Sequence, residues 1–197
     1  NNQLIIDYVN KAKEEYKLKV VEQLSEQREL QHTVWNVPLF ISYTSKYKEV
    51  NYKKSVLKPN YTKALSKPEQ DFVSLLEETK NNVKWWFKNG ESEIKYFAVK
   101  YSDSKGYERA FYVDFIVQMN DGSIGLFDTK AGRTAEDATE KAEALAKYIK
   151  DQNKKHNKKL WGGIVVFKDN SCRYNDKEKY TFNEGNLGED WKFLTFK

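Results

Sequence analysis

Phe111-Tyr112-Val113-Asp114-Phe115-Ile116-Val117-Gln118-Met119, then Asn120-Asp121-Gly122, then Ser123-Ile124-Gly125-Leu126-Phe127-Asp128-Thr129-Lys130 is the stretch that decides the fold. Two apolar runs, rich in β-branched and aromatic residues, flank a hairpin signal. Each run holds charge that a sheet covered on both faces excludes: Asp114 in the first, Asp128 and Lys130 at the end of the second. Two-residue spacing puts Asp128 and Lys130 on one face. The turn decides where Asp114 falls. A two-residue Asp121-Gly122 turn pairs Asn120 with Ser123 and sets Asp114 opposite Thr129, on the other face. A three-residue turn with Gly122 in the left-handed bulge position pairs Met119 with Ser123 and sets Asp114 opposite Asp128.

In the second register two carboxylates and an ammonium meet at one point. Carboxylates sharing a site repel each other unless a cation neutralises them. Magnesium suits such a site, because it takes one or two protein carboxylates and fills its shell with waters and phosphate oxygens. A divalent ion there can activate water and polarise a phosphate, and Lys130 can orient the water or stabilise developing charge. These are the parts of phosphodiester hydrolysis without a histidine.

Outward from this hairpin, the pattern predicts an α/β chain: a mixed central β-sheet flanked by helices. Ser66-Lys67-Pro68-Glu69 has capping-box spacing and opens a helix running to about Lys80. Glu69 can serve as the third residue of that box, or reach the acidic site. Val83 to Phe87 and Ile94 to Tyr101 read as strands joined through Asn89-Gly90, Ala110 to Met119 as a third and Ile124 to Ala131 as a fourth. Ala135 to Asp151 is a helix by its apolar stripe, and Leu160 to Phe167 a buried strand. The rest is loop-rich, with a last strand at Phe193 to Phe196. Trp85 and Trp86 read as core, His32 and His156 as solvated, the latter near a helix end, and Cys172 as incidental.

Upstream, residues 4–30 read mainly as helix and Val34 to Tyr43 as extended. Residues 44–66 have no clear period and read as a long connection, hence a boundary or partner-binding segment. The division expected is 1–65 as an N-terminal helical and extended extension or linker, and 66–197 as the domain with the site.

Composition narrows the chemistry. One cysteine and two histidines in 197 residues exclude a disulfide framework and thiolate or imidazole metal clusters. No 18-residue apolar run exists, so no membrane helix is expected. The first residue is Asn1, no signal-peptide pattern follows, and the reading is an excerpt of a larger cytoplasmic protein. Net charge is +5, unevenly spread: residues 69–130 hold 11 acidic and 8 basic side chains, while both flanks are basic. Such an acidic island suits a metal between phosphate-facing surfaces.

Val113-Asp114, a hairpin, then Asp128-Thr129-Lys130 resembles the PD-(D/E)XK nuclease superfamily. The wider run is similar to the C-terminal endonuclease domain of type III restriction enzymes over roughly residues 66–170. It comprises Pro68-Glu69-Gln70-Asp71-Phe72, Asn82 to Asn89, Phe97 to Tyr101, Asp114 to Val117 and Asp121-Gly122-Ser123. The resemblance implies a restriction-endonuclease-like core and a metal-dependent endodeoxyribonuclease. Asp114, Asp128, the Thr129 carbonyl and Glu69 would hold magnesium, with manganese as a substitute, and Lys130 would position water. Arg133 and Lys141, and Thr134 less so, are candidates for phosphate contact; surface charge is the plainer reading of each.

Double-stranded DNA is the implied substrate. A helicase-like, ATP-driven motor in the same full-length chain and a modification or specificity subunit are the implied partners. Two departures stand out. Val113 replaces the usual proline, which carries no chemistry, and Asp128 replaces the usual glutamate, one methylene longer. The alternative is a catalytically silent DNA-binding or scaffolding module that keeps the nuclease fold. Hydrolysis of RNA or of branched or broken DNA is a third possibility.

Overall fold

The computed structural model describes residues 11–16, 35–93 and 95–197. Of the helix expected over residues 4–30, residues 11–16 are helical, and the remainder falls outside the described residues, as do His32 and Val34. Residues 35–43 form no paired strand.

Residues 44–66 are not a free connection. They form a short antiparallel hairpin, β1 (Lys48–Val50) with β2 (Asn60–Thr62). Between these strands Ser55 bridges to Trp86, and Val56 and Leu57 pack on the core. The segment is held by polar contacts that periodicity does not reveal: the Lys53 and Lys54 amides donate to the Glu77 carboxylate.

α1 (Lys67–Leu76) opens with the expected capping box, Ser66 accepting from the Glu69 amide and Glu69 from the Ser66 amide. It ends four residues before Lys80, at the C-cap Glu77, whose amide still donates to the Val73 carbonyl and whose carboxylate accepts from the amides above and the Trp86 indole. Phe72, Val73 and Leu76 form its buried stripe.

The central sheet has six strands in the order β10-β9-β8-β7-β6-β3. They are β3 (Val83–Lys88), β6 (Phe115–Met119), β7 (Ile124–Thr129), β8 (Leu160–Lys168), β9 (Ser171–Asn175) and β10 (Lys192–Phe193). Only β7 and β8 run parallel; they are joined through a short helix, α2 (Arg133–Glu136), and the long α3 (Thr139–His156). A separate ribbon, β4 (Val99–Ser102) with β5 (Glu108–Phe111), completes the chain. The mixed sheet with helices on its faces matches the α/β expectation and is compatible with a restriction-endonuclease-like core.

Both sheet faces are dry. Phe72 of α1 packs against Phe115, Phe127 and Phe196, with ring centroids 4.9, 5.3 and 6.0 Å apart. On the opposite face Ile116, Leu126 and Ile164 meet Ala142 and Leu145 of α3, with Tyr180 and Trp191 of the C-terminal segment.

Three readings change. Asn89-Gly90 is no hairpin turn: β3 pairs with β6, and β4 with β5. The Asn89 carboxamide is buried, donating to the Phe97 and Val113 carbonyls and accepting from the Phe97 amide. The strand expected from Ala110 to Met119 breaks at residues 112–114, where the chain leaves the ribbon and enters the central sheet. The "loop-rich" end contains β9, which returns from β8 through Asp169-Asn170, both at positive φ, a glycine-free hairpin turn.

Candidate active site

The register of β6 and β7 is the three-residue alternative. Phe115 pairs with Phe127 and Gln118 with Ile124, and the Met119 amide donates to the Ser123 carbonyl at 2.9 Å. Gly122 takes φ +84°, the left-handed value this turn needs. Continued by one pair, the ladder puts Asp114 opposite Asp128, while the Asn89 amide bonds the Asp114 carbonyl on the other side.

The site lies where three strands meet. β3 and β7 end here, β6 begins here, and the first turn of α1 brings Glu69. Asp114 stands at the bend just before β6, outside strict strand alternation. Its Oδ2 accepts from the Thr129 amide and hydroxyl, both at 2.8 Å. Its Oδ1 is 3.0 Å from Lys88 Nζ, and the same ammonium is 2.8 Å from Glu69 Oε1. Lys88 Nζ also lies 5.0 Å above the centre of the Phe115 ring. Glu69 thus fills both of its expected roles of position: helix cap and neighbour of the acidic site.

Asp128 is the most buried charge, 2% exposed. The Lys130 ammonium forms an ion pair with it, yet Oδ2 lacks a partner in hydrogen-bond geometry. Burial, and next the negative charge of Asp114, push its carboxyl up to about 7 despite Lys130. Asp114 shows the reverse. Burial works to raise its pKa, but Lys88, Lys130 and the Thr129 hydroxyl outweigh it and hold it below the ordinary value. Two carboxyls on facing ladder positions therefore differ in character: Asp114 is held as the anion, and Asp128 is pushed up to about 7.

The residues expected at the site are not all gathered. Hydrogen bonds join Asp114 to Thr129, Lys88 joins Asp114 to Glu69, and a separate ion pair joins Asp128 to Lys130; the two groups act on each other through charge. Among the described residues, however, no three acidic, histidine or cysteine side chains converge as a metal-holding group. Glu69 meets Asp114 through Lys88, not through a shared vacancy. A set of two carboxylates, Asp114 and Asp128, still fits magnesium, which needs only one or two. Asp128 Oδ2 is buried and lacks a hydrogen-bond donor in good geometry, so an incoming cation there would share it with the Lys130 ammonium.

Arg133 is 90% exposed and 3.7 Å from Asp137. Lys141 lies over the rings of Tyr101 and Phe111, 6.0 and 5.8 Å from their centres, so it is turned to the β4–β5 ribbon. Thr134 closes its own turn on Ala131. Trp86 is core, and its indole N–H donates to Glu77. His156 is exposed in the last turn of α3, and Cys172 is half-buried, its thiol pushed up to about 12 by burial.

Lys88 was missed in the sequence. The available signal was symmetry: Lys88 ends an apolar strand as Lys130 follows one, and β3 and β7 point the same way.

Residues 55–176, more than half of the chain, match the YagJ family, and every residue of the constellation lies inside that span. The chain belongs to the YagJ family. No curated protein and no solved structure matches it. Among the described residues no helix is long and apolar enough to cross a membrane.

Proposed function

We propose that this YagJ-family chain is a metal-dependent DNA endonuclease domain. The observation that carries the reading is the β6–β7 register, which sets Asp114 opposite a fully buried Asp128 that pairs with Lys130. A protein has little structural reason to bury a carboxylate and its lysine partner opposite a second carboxylate at a strand end, since such burial costs stability.

Asp114 and Asp128 would hold magnesium or manganese. A bound divalent ion supplies water activation and neutralises charge on the phosphate. The protein does the rest. Lys88, with Thr129, fixes the Asp114 carboxylate in its anionic form and in one orientation. Lys130 Nζ, beside Asp128, can orient the attacking water and oppose negative charge developing on phosphate oxygens. Glu69, fixed through Ser66, holds Lys88 in place.

The resemblance of residues 66–170 to the nuclease end of type III restriction enzymes supports double-stranded DNA as substrate. It also supports a helicase-like motor in the full-length chain and a specificity subunit as partners.

One observation favours a second reading, a silent DNA-binding module. Lys88 already supplies Asp114 and Glu69 with a cation from within the protein.

Nicking of supercoiled plasmid with magnesium or manganese separates the two. Asp114→Ala, Asp128→Ala and Lys130→Ala should each abolish nicking while circular dichroism stays unchanged. Nicking that survives all three sinks the site assignment. Salt-dependent DNA binding without nicking by the wild-type chain in either metal supports the silent module.

A further inference from the structure

A cavity of about 370 Å³ adjoins the acidic site on its Glu69–Lys88 side. That volume lies within the range of about 300–1,000 Å³ usual for small-molecule sites. Its distinguishing wall is tyrosine. Tyr43, Tyr47 and Tyr61 come from the β1–β2 region and Tyr96 from the loop after β3. All four are partly exposed, so their rings are accessible from the cavity. The Tyr43 ring centre is 5.0 Å from that of Tyr47 and 5.3 Å from that of Tyr61, so three rings form one continuous aromatic surface.

The charges of the cavity nearly cancel. Glu69 pairs with Lys88 and Glu93 with Lys95, while Lys63 lies over the Tyr47 ring, 5.3 Å from its centre. A neutral, aromatic, polar-edged cavity suits a flat neutral ring with hydrogen-bonding edges. It does not suit an alkyl chain. At its inner end stands Lys88, whose ammonium also touches Asp114. A flat ring held by the tyrosines and a phosphate beside Lys88 are the two halves of one nucleotide.

We propose that this cavity receives the base of an unpaired nucleotide whose phosphate lies at the acidic site. The nuclease reading gives that phosphate its meaning. Stacking on tyrosine requires a free π-face, and a base inside a duplex has none to offer until it is unstacked. The substrate class is therefore a nucleotide in single-stranded, flipped or frayed nucleic acid.

Fluorescence anisotropy with four probes tests this on the full chain without metal: a single-stranded DNA 10-mer, its RNA counterpart, the DNA duplex and, as competitor, thymidine 5′-monophosphate. Single strands should bind more tightly than duplex. Tyr43→Leu and Tyr61→Leu should each weaken single-strand binding about tenfold, as expected when a stacked ring is lost. Tyr43→Phe should bind as wild type does, and duplex binding should not change. The DNA and RNA arms tell which strand supplies the nucleotide, and displacement by the monophosphate supports the same cavity. If the leucine variants fail to fold, nitration of wild-type tyrosines replaces them: the single strand should protect Tyr43 and Tyr61. Single-strand binding unchanged in the leucine variants, or absence of that protection, overturns the proposal. Plasmid nicking is read separately. Lost nicking with intact tyrosine-dependent binding removes the nuclease reading alone, and the converse removes the cavity alone.

Discussion

Lys88 Nζ stands 3.0 Å from Asp114 Oδ1, so the acid of the candidate site has a counter-ion built into the neighbouring strand. The same ammonium holds Glu69 at 2.8 Å. Replacing it by Lys88→Met leaves two carboxylates facing each other without a cation. Full burial would make such a loss about 3–5 kcal/mol. These side chains are 18–24% exposed, so about 2–3 kcal/mol is expected. Magnesium should recover part of that loss by taking the place of the ammonium, raising the melting temperature of Lys88→Met more than that of the wild type. Calorimetry with and without the ion checks this. An equal response of both proteins would argue against a cation site at these acids.

Asp128 gives a pH dependence of unusual sign. Its folded carboxyl is pushed up to about 7, above the ordinary aspartate value of 3.8, because burial and Asp114 disfavour the charge. Folded protein therefore binds a proton that unfolded protein has released. The contribution of this group is most favourable below the unfolded value, and it is lost as pH rises toward the folded one. Asp128→Asn removes the penalty, so its melting temperature relative to wild type should climb between about pH 4 and pH 7 and level off above. Each kcal/mol relieved is worth roughly 2–4 °C at this chain length. A pH-independent difference between the two proteins would show that Asp128 is ionised throughout.

The parts of this fold legible in the sequence were those governed by short-range rules. The capping box at Ser66 and Glu69 formed as read, and so did the three-residue turn at Gly122, which set Asp114 opposite Asp128. What failed was governed by distant partners. Asn89 has the composition of a hairpin turn, but its carboxamide is spent on Phe97 and Val113. Lys88 was not singled out because its partners, Glu69 and Asp114, lie 19 and 26 positions away. Period and propensity carry no signal for such contacts. The constellation was legible as a motif. The separation of its acids by an internal ammonium was not.

Asn89→Ala should be costly for that reason. It leaves the buried Phe97 amide and the Phe97 and Val113 carbonyls without their carboxamide partner. Each buried hydrogen bond removed in this way costs about 1–3 kcal/mol, and the Val113 carbonyl alone sets an expected loss of about that size in urea unfolding. Amide exchange supplies the specific readout. The Phe97 N–H should exchange faster in the variant, while amides in the middle of β7 keep their order of protection. Unchanged exchange at Phe97 would mean that the carboxamide does not hold the ribbon to the sheet.

Gly163 and Gly122 separate steric from conformational demand. Both have positive φ, +153° and +84°. A Cβ on Gly163 would lie 1.9 Å from the Asn175 carbonyl oxygen, on β9, whereas a Cβ on Gly122 meets nothing within 4 Å. Gly122→Ala should therefore cost only backbone strain, about 1–2 kcal/mol. Gly163→Ala must in addition push β9 from β8, and that backbone cannot yield without breaking the Ile164–Asn175 pairing. It should cost about 3 kcal/mol or more, a large share of a domain stability of about 5–15 kcal/mol. Urea unfolding of the two variants side by side checks the order. Equal losses would show that the close approach of β8 and β9 relaxes freely, and that φ alone selects glycine at both positions.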